Sequence, residues 1–350
     1  MNSVLISDKS IGQNKPVFII AEAGVNHNGS LKMAKELVAK AKEAGADCIK
    51  FQTFKAERVV TRNAPKAEYQ LKTTSPAESQ LQMLQKLELS FAEYEEIIKF
   101  CHQKDIIFMS TPYSQEDVDF LVGLNVPAFK IASGQLVEPS FLAYVAHRSL
   151  PILLSTGMAT LDEVGAAVKV ILNTGNKNLV LLQCSTNYPT LPEDANLRAM
   201  TTMRDAFCLN VGYSDHTQSH MACIASVAMG ASVVEKHFTL DKSLPGPDHS
   251  SSASPEELCV LVKEIREVQK MLGNGVKVPT VAEKKNMSGM RRSIVAKESI
   301  KAGTLISSEM LTFKRPATGI SPTQIDVVVG AFAKVDIVED SIITWGDISR

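Results

Sequence analysis

Residues 17–54, VFIIAEAGVNHNGSLKMAKELVAKAKEAGADCIKFQTF, contain two apolar runs of strand length with an amphipathic segment between them. The runs VFIIAEAG and DCIKFQTF are short and largely apolar, whereas SLKMAKELVAKAKEAG has helical periodicity and is rich in Ala, Leu, Lys and Glu. Two strands joined through a helix pair in parallel, because the crossover returns the chain to the end of the sheet where it started. This strand–helix–strand unit is the repeat that decides the fold.

Strand-length apolar runs of this kind recur through the first two thirds of the chain, with helical segments between most of them. Strands covered on both faces read as continuous apolar runs, and eight such units fit closure into a barrel better than an open sheet. No GxGxxG motif follows the first run, which argues against a dinucleotide-binding sheet. The sequence therefore predicts an α/β fold, a (β/α)8 TIM barrel, from VFIIAEAG, DCIKFQTF, IIFMSTP, AFKIASG, PILLSTGM, LVLLQCS, LNVGYSDH and VVEKHFT.

The pattern changes after the last of these units. SPEELCVLVKEIREVQKMLG has the Ser-x-x-Glu start, apolar stripe and Gly stop of a capped helix, and short β-prone pieces broken by Gly, Pro and charged turns come later. We expect the barrel at 1–275, a linker at 276–289 and a small, mostly β domain at 290–350. A domain of this size buries little core alone, so it needs to pack against the barrel or a second subunit.

The composition is that of an ordinary globular protein. Its 37 Lys and Arg nearly balance 38 Asp and Glu, so no bulk charge points to nucleic acid as a partner. The amino end has no signal-peptide pattern and no apolar run is long enough for a bilayer, so we expect a cytoplasmic protein without a membrane partner. The six cysteines are scattered without CxxC spacing, which favours buried free thiols over disulfides or a zinc site.

One connection between predicted strands is much longer than the others. The segment 57–89 is too long for a simple loop, and its middle, RNAPKAEYQLKTTSPAESQ, is polar and contains two prolines. We expect an insertion that lies over one end of the barrel and helps to cover a substrate.

Polar residues stand at the carboxyl ends of the predicted strands. Barrel enzymes have their active sites at this end, and a barrel built for stability alone has no need of a polar group at every strand end. We therefore expect most of them to converge on one pocket. In chain order they are Glu22, Lys50, Gln52, Ser110, Thr111, Ser133, Ser155, Ser185, Thr186, Ser214, Asp215, His216, Glu235 and His237.

The hydrogen-bond donors in this set predict a bound anion. Lys50 supplies a point charge and the hydroxyls supply many donors with little competing negative charge, which suits phosphate best. The alternative is that Lys50 forms a structural ion pair with a neighbouring carboxylate. Glu22 ends an apolar strand and is costly to bury without a partner, so we expect it and Asp248, in the loop after the last strand, to bind substrate hydroxyls.

His216 and His237 stand at the ends of adjacent predicted strands and could share a metal ion. Two imidazoles with open positions for water and substrate oxygens suit manganese, magnesium or iron. The alternative is one core histidine and one general acid or base. His27, in VNHNGS after the first strand, is interpreted as a loop-structuring residue or a substrate contact rather than a ligand.

A series of short motifs resembles, in order, those of the bacterial sialic acid synthases. They are IIAEAGVNHNGS, IKFQTF, STPYS, KIASG, ILLSTGM, GYSDHT, EKHFTLDK and GPDHS. The stretch from RRSIVAKESIKAG through FKRPATGISP is similar to the SAF (antifreeze-like) domain that these enzymes carry, so the resemblance covers essentially the whole chain. Within the family the chain is most similar to the N-acetylneuraminate synthases, and its insertion also resembles that of the N,N′-diacetyllegionaminate synthases.

The resemblance implies a transferase that condenses phosphoenolpyruvate with N-acetylmannosamine, giving N-acetylneuraminate and phosphate by metal-dependent C–O cleavage. The alternative within the family is an N,N′-diacetyllegionaminate synthase that uses 2,4-diacetamido-2,4,6-trideoxymannose. The family also implies a Mn²⁺ or Mg²⁺ ion on His216 and His237. It further implies a domain-swapped homodimer in which Arg315 of the SAF domain reaches the partner's active site and binds the N-acetyl group.

The remaining roles are carried over residue by residue from the family's motifs. Glu22, Tyr188 and Asp248 are expected to face the sugar. Phosphoenolpyruvate is expected to be held by Lys50, Gln52, Thr111, Ser133, Ser155 and Ser214.

Two positions depart from the family's pattern. Gln135 stands where a carboxylate that acts on the reacting centre is usual, and an amide cannot exchange a proton as a carboxylate does. The resemblance places this position among the catalytic ones, with Glu22, His216 and His237, so a proton would have to move through Glu22, metal-bound water or Glu138. Gln135 also motivates a third reading, a non-catalytic barrel that binds a sugar or phosphate. Thr186 replaces an Asn of some members and keeps a hydrogen-bonding side chain in the substrate pocket.

Overall fold

The structure is a computed structural model that describes residues 2–75 and 77–350. A short hairpin comes first, in which β1 (Val4–Ile6) pairs antiparallel with β2 (Lys9–Ile11). Eight parallel strands then close into a barrel, which confirms the predicted fold class. They are β3 (Phe18–Gly24), β4 (Cys48–Thr53), β5 (Ile107–Pro112), β6 (Phe129–Ile131), β7 (Ile152–Ser155), β8 (Leu179–Gln183), β9 (Asn210–Asp215) and β10 (Val233–His237).

Helices follow the strands and cover the outside of the barrel. Their starts are fixed by side-chain caps, as in Ser30, whose hydroxyl accepts from the Met33 amide, and in the capping box of Ser254 and Glu257. The helices are α1 (Leu31–Glu43), α2 (Ala56–Val59), α3 (Glu68–Thr73), α4 (Gln80–Gln85), α5 (Phe91–Lys104), α6 (Gln115–Gly123), α7 (Pro139–Ala146), α8 (Leu161–Asn173), α9 (Arg198–Phe207), α10 (Met221–Ala228) and α11 (Pro255–Leu272).

The inside of the barrel is apolar at its amino end and polar at its carboxyl end. Alternate residues of a strand share one face, so the inward positions of β3 run Phe18, Ile20 and then Glu22. In β10 the same alternation leads from Val233 to Glu235 and His237. The hairpin closes the apolar end, because Val4, Ile6 and Ile11 are buried in the same cluster as Phe18, Ile20, Cys48, Met109, Leu153, Val180 and Leu182.

The insertion between β4 and β5 contains α2, α3 and α4 and is held together by a buried lysine. Lys66 Nζ donates to Thr74 Oγ1 at 2.9 Å and to Ser75 O at 2.7 Å, and it lies 3.1 Å from Glu78 Oε1. A second link is made by Lys55, whose Nζ lies 2.7 Å from Glu88 Oε2. These polar contacts act together with a small apolar cluster, in which Leu87, Val59 and Leu84 pack with Val25 and Phe54.

The chain divides into two compact units, Met1–Gly273 and Asn274–Arg350. The second has its own small core around Ile294, Ile306 and Ile343 and contains short antiparallel pairs, in keeping with the predicted mostly β domain. Its elements are α12 (Val281–Met290), β11 (Ser293–Ala296), β12 (Leu311–Lys314), α13 (Ile325–Val328), β13 (Phe332–Ala333) and β14 (Ile348–Ser349). Most of α12 falls in the segment 276–289 that was predicted as a linker.

Two further sequence expectations concern the chain as a whole. All six cysteines are free thiols, as the absence of CxxC spacing predicted, but only four are buried, and Cys208 and Cys259 are exposed. Among residues 2–75 and 77–350, no helix is both long enough and apolar enough to cross a bilayer.

Candidate active site

Four buried charged side chains form a continuous series of ion pairs at the carboxyl end of the barrel. Lys50 Nζ lies 2.7 Å from Glu22 Oε2 and 3.8 Å from Glu235 Oε2, and Lys130 Nζ lies 3.5 Å from Glu235 Oε1. No side chain of the four is more than 4% exposed. We call Glu22, Lys50, Glu235 and Lys130 the charge cluster. Burying four ionised groups is costly, and their mutual pairing is what offsets that cost.

Hydroxyl groups from neighbouring strands surround the charge cluster. Lys50 Nζ donates to Thr111 Oγ1 at 3.2 Å, and Lys130 Nζ donates to Ser155 Oγ at 2.6 Å. Ser214 Oγ donates to Glu235 Oε1 at 2.9 Å. The structure therefore brings together Glu22, Lys50, Thr111, Ser155 and Ser214 as the sequence predicted. Gln52 joins them at the rim, because its Nε2 lies 3.3 Å from Glu22 Oε1.

Sequence reasoning was wrong about the charge of this pocket. It assumed one lysine with little competing negative charge, whereas the structure contains two lysines balanced by two carboxylates. The predicted alternative for Lys50, an ion pair with a neighbouring carboxylate, is what the side chain makes. Lys130 was missed altogether, although a lysine at the centre of the short apolar strand FKI was a usable signal, since such a residue needs a buried partner.

Mutual attraction and burial act in opposite directions on the pKa values of the cluster. Burial raises the pKa of the Glu22 carboxyl, and Lys50 offsets this rise only in part. Burial would also raise the pKa of Glu235, but Lys130 and Lys50 outweigh it and the pKa is lowered. Glu235 is thus held ionised, whereas Glu22 is the carboxyl of the cluster that can carry a proton nearer neutrality.

His216 and His237 face each other across the same end of the barrel. Their ring centroids lie 5.3 Å apart. His216 Nδ1 donates to the Ser185 carbonyl at 2.6 Å, so its Nε2 keeps a lone pair, and His237 Nδ1 has no hydrogen-bond partner among the described residues. Burial lowers the pKa of His216 to about 4 and lowers that of His237 as well, so both rings are neutral near pH 7.

This pair of imidazoles fits a divalent metal ion. Ring nitrogens bind transition metals at about 2.0–2.2 Å, and two rings at this separation can reach one ion. Neutral, buried rings with an available lone pair are the form that a metal requires. In the described part of the chain no group of three or more His, Cys, Asp or Glu side chains is arranged around a common centre. The remaining coordination positions would therefore fall to water or substrate oxygens.

Tyr188 and Asp248 complete the wall beside the two histidines. The Tyr188 ring lies 4.2 Å from the His216 ring and 5.6 Å from the His237 ring, centroid to centroid. Asp248 Oδ2 lies 4.0 Å from His237 Nδ1, and burial raises the pKa of its carboxyl to about 6. Tyr188 and Asp248, two of the three residues expected to face the sugar, thus lie on the histidine side of the pocket.

Three other predicted residues line the loops after β6 and β8. The hydroxyls of Ser133 and Thr186 both lie close to the backbone of Gly157. A Cβ added at Gly157 would lie 2.8 Å from Ser133 Oγ and 2.4 Å from Thr186 Oγ1. Ser133 is half-buried and Thr186 is exposed. Gln135 is buried, and neither its Oε1 nor its Nε2 has a hydrogen-bond partner among the described residues. An amide is the less costly side chain at this position, because a carboxylate without a partner would be far harder to bury.

A cavity of about 200 Å³ adjoins His237 and Asp248 and is covered by the insertion. The side of the cavity formed by the insertion is largely apolar and includes Val59, Val60, Met83 and Leu84. Gln70 and Gln80 are its polar members. The expectation that the insertion covers a substrate pocket is consistent with this position, and the identities of its lining side chains were not predicted.

Arg315 is the predicted site residue that lies outside the first unit. It follows β12 in the second unit, and its side chain is exposed. Its predicted role depends on a second subunit.

A buried ion pair holds the segment that carries His216. Lys236 Nζ lies 2.7 Å from Asp215 Oδ2 and also donates to the Thr217 carbonyl, and the Thr217 amide donates to Asp215 Oδ1 at 2.9 Å. Both charged side chains are almost fully buried, with 3% of Lys236 exposed. Asp215 and Lys236 directly precede the two histidines, so this pair fixes the backbone from which both imidazoles project.

Comparison with known proteins identifies relatives along the whole chain. Residues 37–277 match the model of the NeuB family and residues 291–349 that of the SAF domain. The N,N′-diacetyllegionaminic acid synthase of Campylobacter jejuni is 47% identical over 94% of this chain and 99% of its own length. The enzyme of the same name from Legionella pneumophila is 44% identical over 97% of each chain. The crystal structure of an N-acetylneuraminic acid synthetase from Leptospira borgpetersenii, in complex with citrate, has a TM-score of 0.73 at 32% identity and covers 81% of this chain and 95% of its own.

Replacement of Lys236 tests the importance of the buried pair. Lys236→Met leaves the Asp215 carboxylate buried without its cation, so we expect the free energy of unfolding in urea to fall by about 3–5 kcal/mol. Lys301→Met is the control, because Lys301 pairs with Asp336 at 2.8 Å on the surface and is 80% exposed. That variant should leave the free energy of unfolding nearly unchanged, because a solvated surface pair contributes little. Equal effects of the two substitutions would contradict a special role for the buried pair.

Proposed function

The chain belongs to the NeuB family, and on this premise we propose that it condenses phosphoenolpyruvate with the open-chain form of an N-acetylated amino sugar. The products are a nine-carbon nonulosonic acid and inorganic phosphate. The observation that carries this proposal is the charge cluster with its ring of hydroxyls beside two neutral histidines. This arrangement offers two ammonium groups to a small polyanion and two imidazoles to a metal ion.

The cluster supplies what phosphoenolpyruvate needs because its two ammonium groups are already removed from water and can take an anionic ligand as a further partner. In the free protein Lys50 and Lys130 are paired with Glu22 and Glu235. A phosphate or carboxylate group that enters the pocket brings its own negative charge. The lysines are already removed from water in the free protein, so binding requires no further desolvation of their ammonium groups. Thr111 and Ser155, which contact these ammonium groups, are placed to donate to the same oxygens.

The proposed reaction forms one carbon–carbon bond and breaks one carbon–oxygen bond. C3 of phosphoenolpyruvate attacks the aldehyde carbon, and the aldehyde oxygen takes up a proton and becomes a hydroxyl. Water adds at C2 and loses one proton, which balances the one taken up. The C2–O bond to phosphate then breaks, phosphate leaves with the bonding electrons and the second water proton, and C2 becomes a ketone.

Among the chain's own residues, Glu22 is the candidate for proton transfer. Burial raises the pKa of its carboxyl, so it can release and accept a proton near neutrality. Gln135 stands where the family usually has a carboxylate, and an amide can only orient a substrate or water by hydrogen bonds. The other carboxylate considered from the sequence, Glu138, is exposed on the surface.

His216 and His237 are proposed to hold Mn²⁺ or Mg²⁺. A bound divalent ion would polarise the aldehyde oxygen and stabilise the negative charge that develops on it. Tyr188, packed against both rings, limits their rotation and keeps their nitrogens directed into the pocket.

The apolar wall of the cavity favours the diacetamido sugar over N-acetylmannosamine. The sugar 2,4-diacetamido-2,4,6-trideoxymannose has a methyl group and a second acetamido group where N-acetylmannosamine has hydroxyls. Val59, Val60, Met83 and Leu84 would contact such groups without leaving hydroxyls unpaired. Two relatives with at least 44% identity bear the name of the corresponding synthase. N-Acetylmannosamine, the first expectation from sequence, is the second candidate.

A domain-swapped homodimer is proposed as the active form. Large apolar side chains are exposed after β6, β7, β8 and β9, including Met158 at 71% in a loop and Met221 at 74% at the start of α10. The second unit exposes Phe332, Val338 and Trp345. Apolar surface on both units supports burial of each against another copy, and Arg315 would then enter the partner's pocket.

Phosphate release tests the proposed reaction. With phosphoenolpyruvate and Mn²⁺ we expect release to depend on an added amino sugar, and the diacetamido sugar should have a kcat/KM at least about tenfold higher than N-acetylmannosamine. The reverse order would contradict the sugar assignment. Absence of release with both sugars would contradict the reaction. Binding without turnover that becomes turnover in Gln135→Glu would favour the non-catalytic reading instead.

Substitution of the two histidines tests the metal assignment. We expect His216→Ala and His237→Ala each to abolish Mn²⁺ binding in calorimetry and Mn²⁺-dependent phosphate release, because each removes one of two protein ligands. His102→Ala is the control, since His102 is exposed on α5. Retention of Mn²⁺ binding in both site variants would sink the assignment.

Replacement of Arg315 tests the proposed dimer. Arg315→Ala should raise the KM of the sugar more than that of phosphoenolpyruvate, because the guanidinium would contact the acetamido group. Arg292→Ala, an exposed arginine of the same unit, is the control. An unchanged sugar KM, or a monomer by light scattering at assay concentrations, would argue against the swapped arrangement.

A further inference from the structure

The motif VNHNGS, residues 25–30, has no role in the proposed chemistry, yet its two asparagines are tied to a distant part of the chain. It forms the loop between β3 and α1, which we call the asparagine loop. Its partner is the segment 239–252 between β10 and α11, which we call the Asp248 loop. All of the contacts between them join residues more than 200 positions apart in sequence.

Asn26 reaches both ends of the Asp248 loop. Its Nδ2 donates to the Phe238 carbonyl at 2.9 Å and to Ser252 Oγ at 2.9 Å. Asn26 is 1% exposed, so these hydrogen bonds are shielded from water. Ser252 Oγ in turn donates to the Asp248 carbonyl at 2.7 Å. One buried amide is therefore two hydrogen bonds away from the backbone of Asp248.

Asn28 holds the middle of the Asp248 loop. Its Nδ2 donates to the Pro245 carbonyl at 2.9 Å, and its Oδ1 accepts from His249 Nε2 at 3.2 Å. Because His249 Nε2 carries the proton, its Nδ1 accepts from the Thr239 hydroxyl at 2.6 Å. His249 is 1% exposed and neighbours Asp248 in sequence, so its ring orientation fixes the backbone that carries the carboxylate.

Gly246 leaves the space that this packing requires. Its φ is 152°, and a Cβ at this position would lie 2.7 Å from His249 Cδ2 and 3.1 Å from Asn28 Oδ1. No side chain fits there without displacing either His249 or Asn28. The glycine thus lets the Asp248 loop approach the asparagine loop closely enough for the His249–Asn28 hydrogen bond.

The network ends at the metal side of the pocket. Asp248 Oδ2 lies 4.0 Å from His237 Nδ1, and among the described residues no hydrogen bond from another side chain to the Asp248 carboxylate competes with a ligand there. The carboxylate is therefore held through its backbone rather than through its oxygens. An acceptor placed in this way stays available for the hydroxyls of a bound sugar.

We propose that Asn26 and Asn28 are positioning residues that hold the Asp248 loop against the barrel, so that the Asp248 carboxylate faces the sugar site at a fixed distance from His237. A loop of this length costs conformational entropy to order, and hydrogen bonds to its start, middle and end pay that cost before the substrate arrives. The kinetic consequence rests on the proposed function, whereas the ordering of the loop does not.

Asn28→Gly is the variant that isolates this role. Asn28 has a φ of 48°, a conformation that glycine adopts without strain, so the substitution removes the side-chain contacts and leaves the backbone acceptable. Asn125→Gly is the matched control. Asn125 has a φ of 57° and is exposed between α6 and β6, at the opposite end of the barrel.

Amide hydrogen exchange and steady-state kinetics would be measured on the full-length wild type and both variants. We expect exchange in peptides from 239–252 to be at least about tenfold faster in Asn28→Gly, with exchange elsewhere and in Asn125→Gly unchanged. The KM of the sugar should rise at least about fivefold in Asn28→Gly, with the KM of phosphoenolpyruvate within about twofold of wild type. Asn28→Asp keeps the acceptor for His249 but loses the donor to Pro245. Its exchange rate in 239–252 and its sugar KM should lie between those of the wild type and those of Asn28→Gly.

Unchanged exchange in 239–252 would overturn the proposal, as would an equal rise in both KM values, which indicates general damage. A wild type that turns over neither sugar would contradict the proposed function. In that case the exchange data alone would decide the positioning role, with the same expected and contradicting results.

Discussion

The structure depends on one electrostatic constraint, the burial of two lysines and two glutamates at one end of a closed barrel. Such groups are stable out of water only while each has an opposite charge beside it, and the distances of 2.7, 3.8 and 3.5 Å along Glu22, Lys50, Glu235 and Lys130 meet that condition. The other end of the barrel can be sealed by apolar packing because the hairpin residues Ile6 and Ile11 fill it. The pocket is consequently open to ligands from the carboxyl end of the strands.

The same constraint links the parts of the site that differ in chemistry. The cluster presents two ammonium groups balanced by two carboxylates, the histidine pair next to it presents neutral nitrogen ligands, and one wall of the cavity under the insertion is largely apolar. A small polyanion, a divalent ion and a sugar with acetamido and methyl groups suit these three regions in turn. Each region is held by residues behind it, as Asp215 and Lys236 hold the histidine-bearing segment and the asparagine loop holds Asp248.

Much of this could be predicted from the sequence, because strand alternation and barrel geometry are local rules. Eight apolar runs specified eight strands, and the rule that barrel sites lie at the carboxyl ends of the strands predicted the side chains that the structure brings together there. They are Glu22, Lys50, Thr111, Ser155, Ser214, His216 and His237. Lys130 was not predicted because it stands in the middle of a three-residue strand and not at a strand end. The balance of charge in the pocket was predicted wrongly because the sequence shows Glu235 but does not show which lysines pair with it.

The contacts of the insertion and of the asparagine loop lay beyond sequence reasoning for another physical reason. Asn26 and Asn28 meet partners 212–226 residues away, and nothing in their own neighbourhood specifies those carbonyls and hydroxyls. The shape of the insertion depends in part on Lys66, whose three oxygen partners become evident only in the folded chain.

The most direct measurement of the central claim is a crystal structure with Mn²⁺ and phosphoenolpyruvate bound. The account predicts that the ammonium groups of Lys50 and Lys130 lie within about 3.2 Å of phosphate or carboxylate oxygens of the ligand. It would be contradicted by phosphoenolpyruvate bound elsewhere on the molecule while both lysines keep their pairs with Glu22 and Glu235.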